Sequence, residues 1–144
     1  MKKILIVNAN YYDDISSSLL KAAKKILIKN KIKFDIIQVP GVFEIPVTIC
    51  RYLKKYDGFI ALGCVIKGET PHFDLICKST FDAIIKISIN SIKPVGNGII
   101  TAFTKKQANS RSALGSNKNK FKPNKGTEAA KAVISVLKNE PKKN

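Results

Sequence analysis

His72 is the only histidine in the chain, and it stands near the end of the segment Gly63-Cys64-Val65-Ile66-Lys67-Gly68-Glu69-Thr70-Pro71-His72-Phe73. An apolar run that opens into a glycine-containing loop brings backbone amides and the Thr70 hydroxyl to the start of the next helix, an arrangement suited to an anion. An imidazole beside that cradle can pass a proton to a reacting group near neutral pH. The plainer alternative is a helix cap at Thr70-Pro71 with His72 exposed in the first turn. A P-loop is excluded, because the segment lacks the Gly-Lys-Thr/Ser ending.

Three further places carry chemistry. Pro40-Gly41-Val42-Phe43-Glu44-Ile45-Pro46 turns the chain sharply and sets Glu44 at a helix start. There it can accept hydrogen bonds from ligand hydroxyls or simply complement the helix dipole. Tyr11 follows the first apolar run and can stack on a flat heterocycle or serve as packing. Arg111 and Arg51 are the only arginines among 26 basic residues. Arg111 can hold a phosphate through two parallel hydrogen bonds, or lie on a solvated helix face. Lys125-Gly126 has a similar double reading, as a cation near a phosphate or as ordinary loop.

These residues must be positioned by alternating elements. Strands are predicted over 3–8, 34–39, 58–65 and 95–101, the third almost wholly apolar, as expected of a strand buried on both faces. Helical spacing predicts helices over 15–30, from just after Pro40-Gly41 to near Tyr56, and over 73–90, 105–112 and 127–137, with a loop over 112–124 and a charged tail over 138–144. Strict β/α alternation implies one parallel sheet with helices on both faces. Tyr11, Val42 to Glu44 and Cys64 to His72 all then follow strand ends, at the carboxyl edge where open α/β sheets bind ligands.

Composition narrows the classes. At 144 residues with 44% hydrophobic and 25% charged residues, the chain reads as one globular domain over 1–144, neither disordered nor fibrous. Its apolar runs are too short for a membrane span, and the N-terminal run is too short for a signal peptide, so a cytoplasmic protein is expected. Cys50, Cys64 and Cys77 sit in apolar surroundings and are expected to be buried free thiols, with no disulfide framework and no metal site. A net charge of +16 raises nucleic acid as a partner. Yet 24 of the 26 basic residues are Lys, whereas base and phosphate recognition favours the Arg fork, so no specific nucleic-acid target is expected. Ile outnumbers Leu 21 to 9, which with the abundant Lys and Asn fits an AT-rich coding sequence.

Taken together, these segments resemble the lumazine synthase family over residues 3–137. Residues 40–46, 61–74, 94–101 and 125–130 each look like a family motif, in family order and at near-family spacing. The resemblance implies a three-layer α/β/α, flavodoxin-like fold with a four-stranded parallel sheet. It implies condensation of 5-amino-6-(D-ribitylamino)uracil with 3,4-dihydroxy-2-butanone 4-phosphate to give 6,7-dimethyl-8-ribityllumazine, the penultimate step of riboflavin biosynthesis. No cofactor or metal is implied. Carried over residue by residue, Tyr11 stacks on the pyrimidine, Val42, Phe43 and Glu44 contact the ribityl chain and ring, and Cys64, Val65 and Ile66 read the pyrimidine edge through their backbone. Glu69 and Thr70 bind the phosphate, and His72 transfers protons. Asn97 and Arg111 are implied to reach the pyrimidine and the phosphate from a neighbouring subunit, in a homo-oligomer built from pentamers.

Departures from the family pattern are Lys67 where Arg is frequent, Asn97 where many members have Phe, and Asn10 where Arg commonly precedes the aromatic. The loop over 112–124, with Lys118, Lys120 and Lys122, is longer than in compact members and predicts a pentamer or decamer in preference to a closed shell. The competing readings are a non-catalytic flavin- or lumazine-binding paralogue and a basic nucleic-acid-binding module.

Overall fold

The computed structural model describes residues 2–115 and 123–143. Four parallel strands, β1 (Lys3–Ala9), β2 (Lys33–Val39), β3 (Gly58–Ile66) and β4 (Val95–Ala102), form one sheet in the order β2-β1-β3-β4. Five helices accompany them: α1 (Asp13–Lys29), α2 (Ile45–Arg51), α3 (His72–Ser91), α4 (Lys105–Ser112) and α5 (Lys125–Lys138). The three-layer expectation is met. Alternate residues of β1 and β3 point to opposite faces: Ile4, Ile6, Ile60 and Leu62 pack with α1 and α5, while Leu5, Val7, Phe59 and Ala61 pack with α2 and α3.

Helix bounds shift for local reasons. α1 starts two residues before the expected position, because Asp13 and Asp14 suit the positive end of the helix dipole. α5 also begins early, at Lys125, because the Asn124 side chain caps it, accepting the Gly126 and Thr127 N–H groups at 2.8 and 3.2 Å. The predicted helix after Pro40-Gly41 divides into a 3₁₀ turn at Val42–Glu44 and α2, which stops at Arg51 well before Tyr56. Tyr56 is instead tied to the sheet, its hydroxyl donating to Asp35 at 2.6 Å and its ring edge-on to Phe59.

The cysteine expectation needs correction. Cys64 is buried and Cys77 half-buried, but Cys50 is exposed, because the short α2 turns it away from the layer it covers. No disulfide joins the three thiols. At the end of α4, Asn124 Nδ2 donates to the carbonyls of Ser112 and Ala113 at 2.9 and 3.2 Å, closing the base of the long loop. The expectation about Lys118, Lys120 and Lys122 lies outside the described residues. Among the described residues no helix is long and apolar enough to cross a membrane.

Candidate active site

Strand order places a switch point between β1 and β3: the chain leaves β1 toward β2 on one side, then returns to build β3 and β4 on the other. The register explains how this opens a site. β3 pairs with β1 from Gly58 to Leu62 only, but with β4 as far as Ile66. Beyond Leu62, the edge of β3 that faced β1 is turned to the cleft, and its main-chain donors and acceptors can read the rim of a planar ring. Gly63 marks the divergence. A Cβ there would lie 2.7 Å from Val42 Cγ1 and 3.0 Å from Ala9 Cβ, so only glycine lets three chain segments converge under the cleft.

The cleft has a volume of about 570 Å³, within the range of small-molecule sites. Its lining joins Tyr11 from the loop after β1, Val42, Phe43 and Glu44 from the 3₁₀ turn, Cys64, Val65 and Ile66 from β3, and Thr70 and His72 from the start of α3. Residues from three separate loops are thus brought together as the sequence predicts. Tyr11 and Phe43 are 75% and 63% exposed, so both rings have faces free for a flat ligand. At the other end Thr70 Oγ1 accepts the His72 N–H at 3.4 Å. Pro71 caps α3 without using a side-chain hydrogen bond, which leaves the first-turn amides directed at the loop. The Thr70-Pro71 turn thus starts α3 at the rim of the cleft. Burial pushes the Cys64 thiol up to about 11 from an ordinary 9.0, so the side chain is a neutral, apolar wall at physiological pH.

Not every predicted residue lines this cleft. Glu69 is exposed on the loop before α3, outside the cleft wall. Asn97 and Arg111 line a second, smaller cavity of about 140 Å³ with Phe81, Thr101 and Lys125. There Arg111 Nη2 donates to Glu128 Oε2 at 3.1 Å, and Lys125 Nζ is 3.9 Å from the same oxygen. Arg111 Nε is buried and has no hydrogen-bond partner among the described residues. Asn97 Oδ1 accepts the Ile99 N–H at 3.1 Å, fixing its amide along β4.

The departures also find places. Lys67 N–H donates to the Ala102 carbonyl at 2.9 Å, and its ammonium lies 5.3 Å over the Phe103 ring, outside the cleft lining. Asn10 N–H donates to the Val39 carbonyl at 3.0 Å, joining the loops that follow β1 and β2. Five lining residues were not among the predicted site residues: Tyr12, Gly41, Gly68, Phe73 and Ile76. The last two carried a signal, since they fall on the inward stripe of α3. Among the described residues no three His, Cys, Asp or Glu side chains gather as a metal-binding group.

A parallel α/β domain with an aromatic-walled cleft at its switch point, closed on one side by the N-terminus of α3, defines a small-molecule-binding protein of the doubly wound class. The sequence model of the 6,7-dimethyl-8-ribityllumazine synthase family matches residues 1–140, and the chain belongs to that family. It is 39% identical over 138 residues to a 6,7-dimethyl-8-ribityllumazine synthase of Bartonella bacilliformis, covering 93% of this chain and 87% of that one. Proteins of the same name from Nitrobacter hamburgensis and Agrobacterium fabrum are each 37% identical, over 94% and 93% of this chain and 84% and 91% of theirs.

Proposed function

We propose that the chain is an active 6,7-dimethyl-8-ribityllumazine synthase that joins 5-amino-6-(D-ribitylamino)uracil to 3,4-dihydroxy-2-butanone 4-phosphate. The observation that carries the reading is the meeting of Tyr11, Glu44, the free edge of β3, Thr70 and His72 around one cleft. The uracil lies against the Tyr11 ring with its polar rim on the main chain of Cys64, Val65 and Ile66. Glu44 and the segment from Val42 take the ribityl hydroxyls, since a carboxylate accepts from several hydroxyls without a competing donor of its own. The phosphate sits at the start of α3 with Thr70 and Glu69's loop amides, where the helix dipole and unpaired N–H groups favour negative charge.

The chemistry is condensation of the 5-amino group with the ketone to an imine with loss of one water, loss of inorganic phosphate, and ring closure of the ribityl-bearing nitrogen on the remaining carbonyl with loss of a second water. Each step moves protons between nitrogen, oxygen and carbon. His72 stands in the first turn of the helix that holds the phosphate, so its imidazole reaches the carbons next to the departing group. Much of the remaining acceleration comes from holding two substrates in one cleft, which replaces a bimolecular encounter by an intramolecular one. Asn97 and Arg111 complete the site from an adjacent subunit of a pentameric ring, the first at the pyrimidine and the second at the phosphate. The protein works in the cytoplasm without a cofactor.

Purified protein mixed with both substrates should develop lumazine absorbance well above the uncatalysed rate, and neither substrate alone should do so. Product formation no faster than in buffer would overturn the reading.

A further inference from the structure

The loop after β1 carries two adjacent tyrosines in different environments. Tyr11 is 75% exposed, whereas Tyr12 packs against the core beneath α1 and α5. The two rings meet edge to face, with centroids 5.0 Å apart and planes at 77°. An exposed ring that must stack on a ligand loses rotamer freedom on binding, and a fixed neighbour reduces that loss in advance.

Tyr12 is held in turn from α4. Lys105 Nζ lies 5.3 Å from the centroid of the Tyr12 ring and 3.0 Å from Asp14 Oδ2, across a sequence separation of 91 residues. The first turn of α4 that carries Lys105 is itself fixed by a reciprocal cap. Gln107 N–H donates to Thr104 Oγ1 at 3.2 Å, while Gln107 Oε1 accepts the N–H groups of Phe103 and Thr104 at 2.8 and 3.3 Å. A continuous set of contacts therefore runs from the capped end of α4 through one ammonium to the aromatic wall of the cleft.

We propose that Lys105 is a positioning residue for that wall, its ammonium tying Asp14 to the face of Tyr12 so that Tyr12 holds the Tyr11 ring ready to stack. The inference rests on the reading that Tyr11 stacks on the pyrimidine substrate. Both contacts of Lys105 need positive charge, since the ion pair and the attraction to the ring face vanish with a neutral side chain of the same length. Lys105 does not itself line the cleft, so its effect passes through the tyrosines and falls on one substrate only.

Steady-state kinetics with each substrate varied in turn tests this in Lys105→Met, Lys105→Arg, Asp14→Asn and Tyr11→Ala. Lys105→Met should raise KM for the ribitylaminouracil about three- to tenfold, with kcat and the KM of the phosphate substrate held, because exposed charge contacts are individually weak. Asp14→Asn should move the same constant in the same direction, and Lys105→Arg should restore it to within about twofold. A rise in both KM values together in Lys105→Met, or a fall in kcat alone, would overturn the proposal, since general loosening of the fold acts that way. If Tyr11→Ala raises the pyrimidine KM while Lys105→Met and Asp14→Asn do not, the positioning role fails and the stacking reading stands. If Tyr11→Ala leaves that KM unchanged, the stacking reading fails and the proposal falls with it.

Discussion

A histidine in the first turn of a helix shares its site with the amides that hold an anion, so on the proposed reading one short segment serves both phosphate binding and proton transfer. The two roles separate by mutation. His72→Ala leaves the amides and Thr70 in place and should retain substrate binding while losing roughly 10- to 1,000-fold in turnover, in line with or somewhat below a general acid–base contribution because the chemistry proceeds slowly unaided. Unchanged turnover in a stopped-flow lumazine assay would remove His72 from the mechanism. Titration of the fold itself is set elsewhere. The Cys64 thiol is raised by burial to about 11 from 9.0, and the Tyr56 hydroxyl to about 12 from 10.0, chiefly by donating its hydrogen bond to the Asp35 carboxylate. Both groups are neutral when protonated, and both hold the proton more tightly folded than unfolded. Their contribution is therefore complete below about pH 9 and is lost as pH rises through 11 and 12. Denaturant midpoints should be level with respect to these groups up to pH 9 and fall above it. A stability that rises between pH 9 and 12 would contradict the burial of the thiol and the Tyr56–Asp35 bond.

The elements were legible where one period dominated. The continuous apolar runs in β1 and β3 identify strands, and Ile15, Leu19, Ala22 and Ala23 mark the buried stripe of α1. Legibility failed where distant contacts decided the local form. The stretch after Cys50 has apolar residues at helical spacing, yet α2 ends at Arg51 because Tyr56 is claimed by Asp35 and Phe59. In the same way the cleft residues on strand ends could be placed from β/α alternation alone, whereas the ammonium over the Tyr12 ring comes from Lys105, which no local pattern connects to it. Gly126 shows the reverse case, a residue with a ligand-binding reading that packing explains. A Cβ there would sit 2.3 Å from the Leu19 carbonyl oxygen, so glycine lets the start of α5 lie directly on the backbone of α1. Gly126→Ala gains helix propensity but meets main chain that cannot rotate away, and the clash should win, destabilising by ~1–3 kcal/mol. Since α5 carries Lys125 and Glu128, the displacement should also weaken the Arg111 cluster. A thermal midpoint equal to or above that of the parent would show that the two helices separate freely.

At the scale of the whole molecule, one chain holds the two groups of proposed site residues in separate cavities. Tyr11, Glu44, Thr70 and His72 line the larger, and Asn97 and Arg111 the smaller, on β4 and α4. Within a chain the Arg111 guanidinium is engaged by Glu128, yet among the described residues its Nε is buried without a partner, and a buried donor left unmade is costly. On the proposed reading, a site assembled from the cleft of one subunit and the Arg111 cavity of the next uses both, and a head-to-tail ring supplies that pair to every copy. Mixing tests this directly. His72→Ala and Arg111→Ala subunits should each be poorly active alone, the second with its main defect in KM for the phosphate substrate, because a guanidinium opposite a dianion acts on that ligand and little on the neutral one. Unfolded together and refolded as mixed rings, they should regain activity. Random mixing in equal amounts gives about one site in four an intact His72 from one subunit and an intact Arg111 from its neighbour, so recovery should approach about a quarter of the parent rate. Activity no higher than the mean of the two separate variants would mean that each chain builds its site alone and would sink the shared-site arrangement.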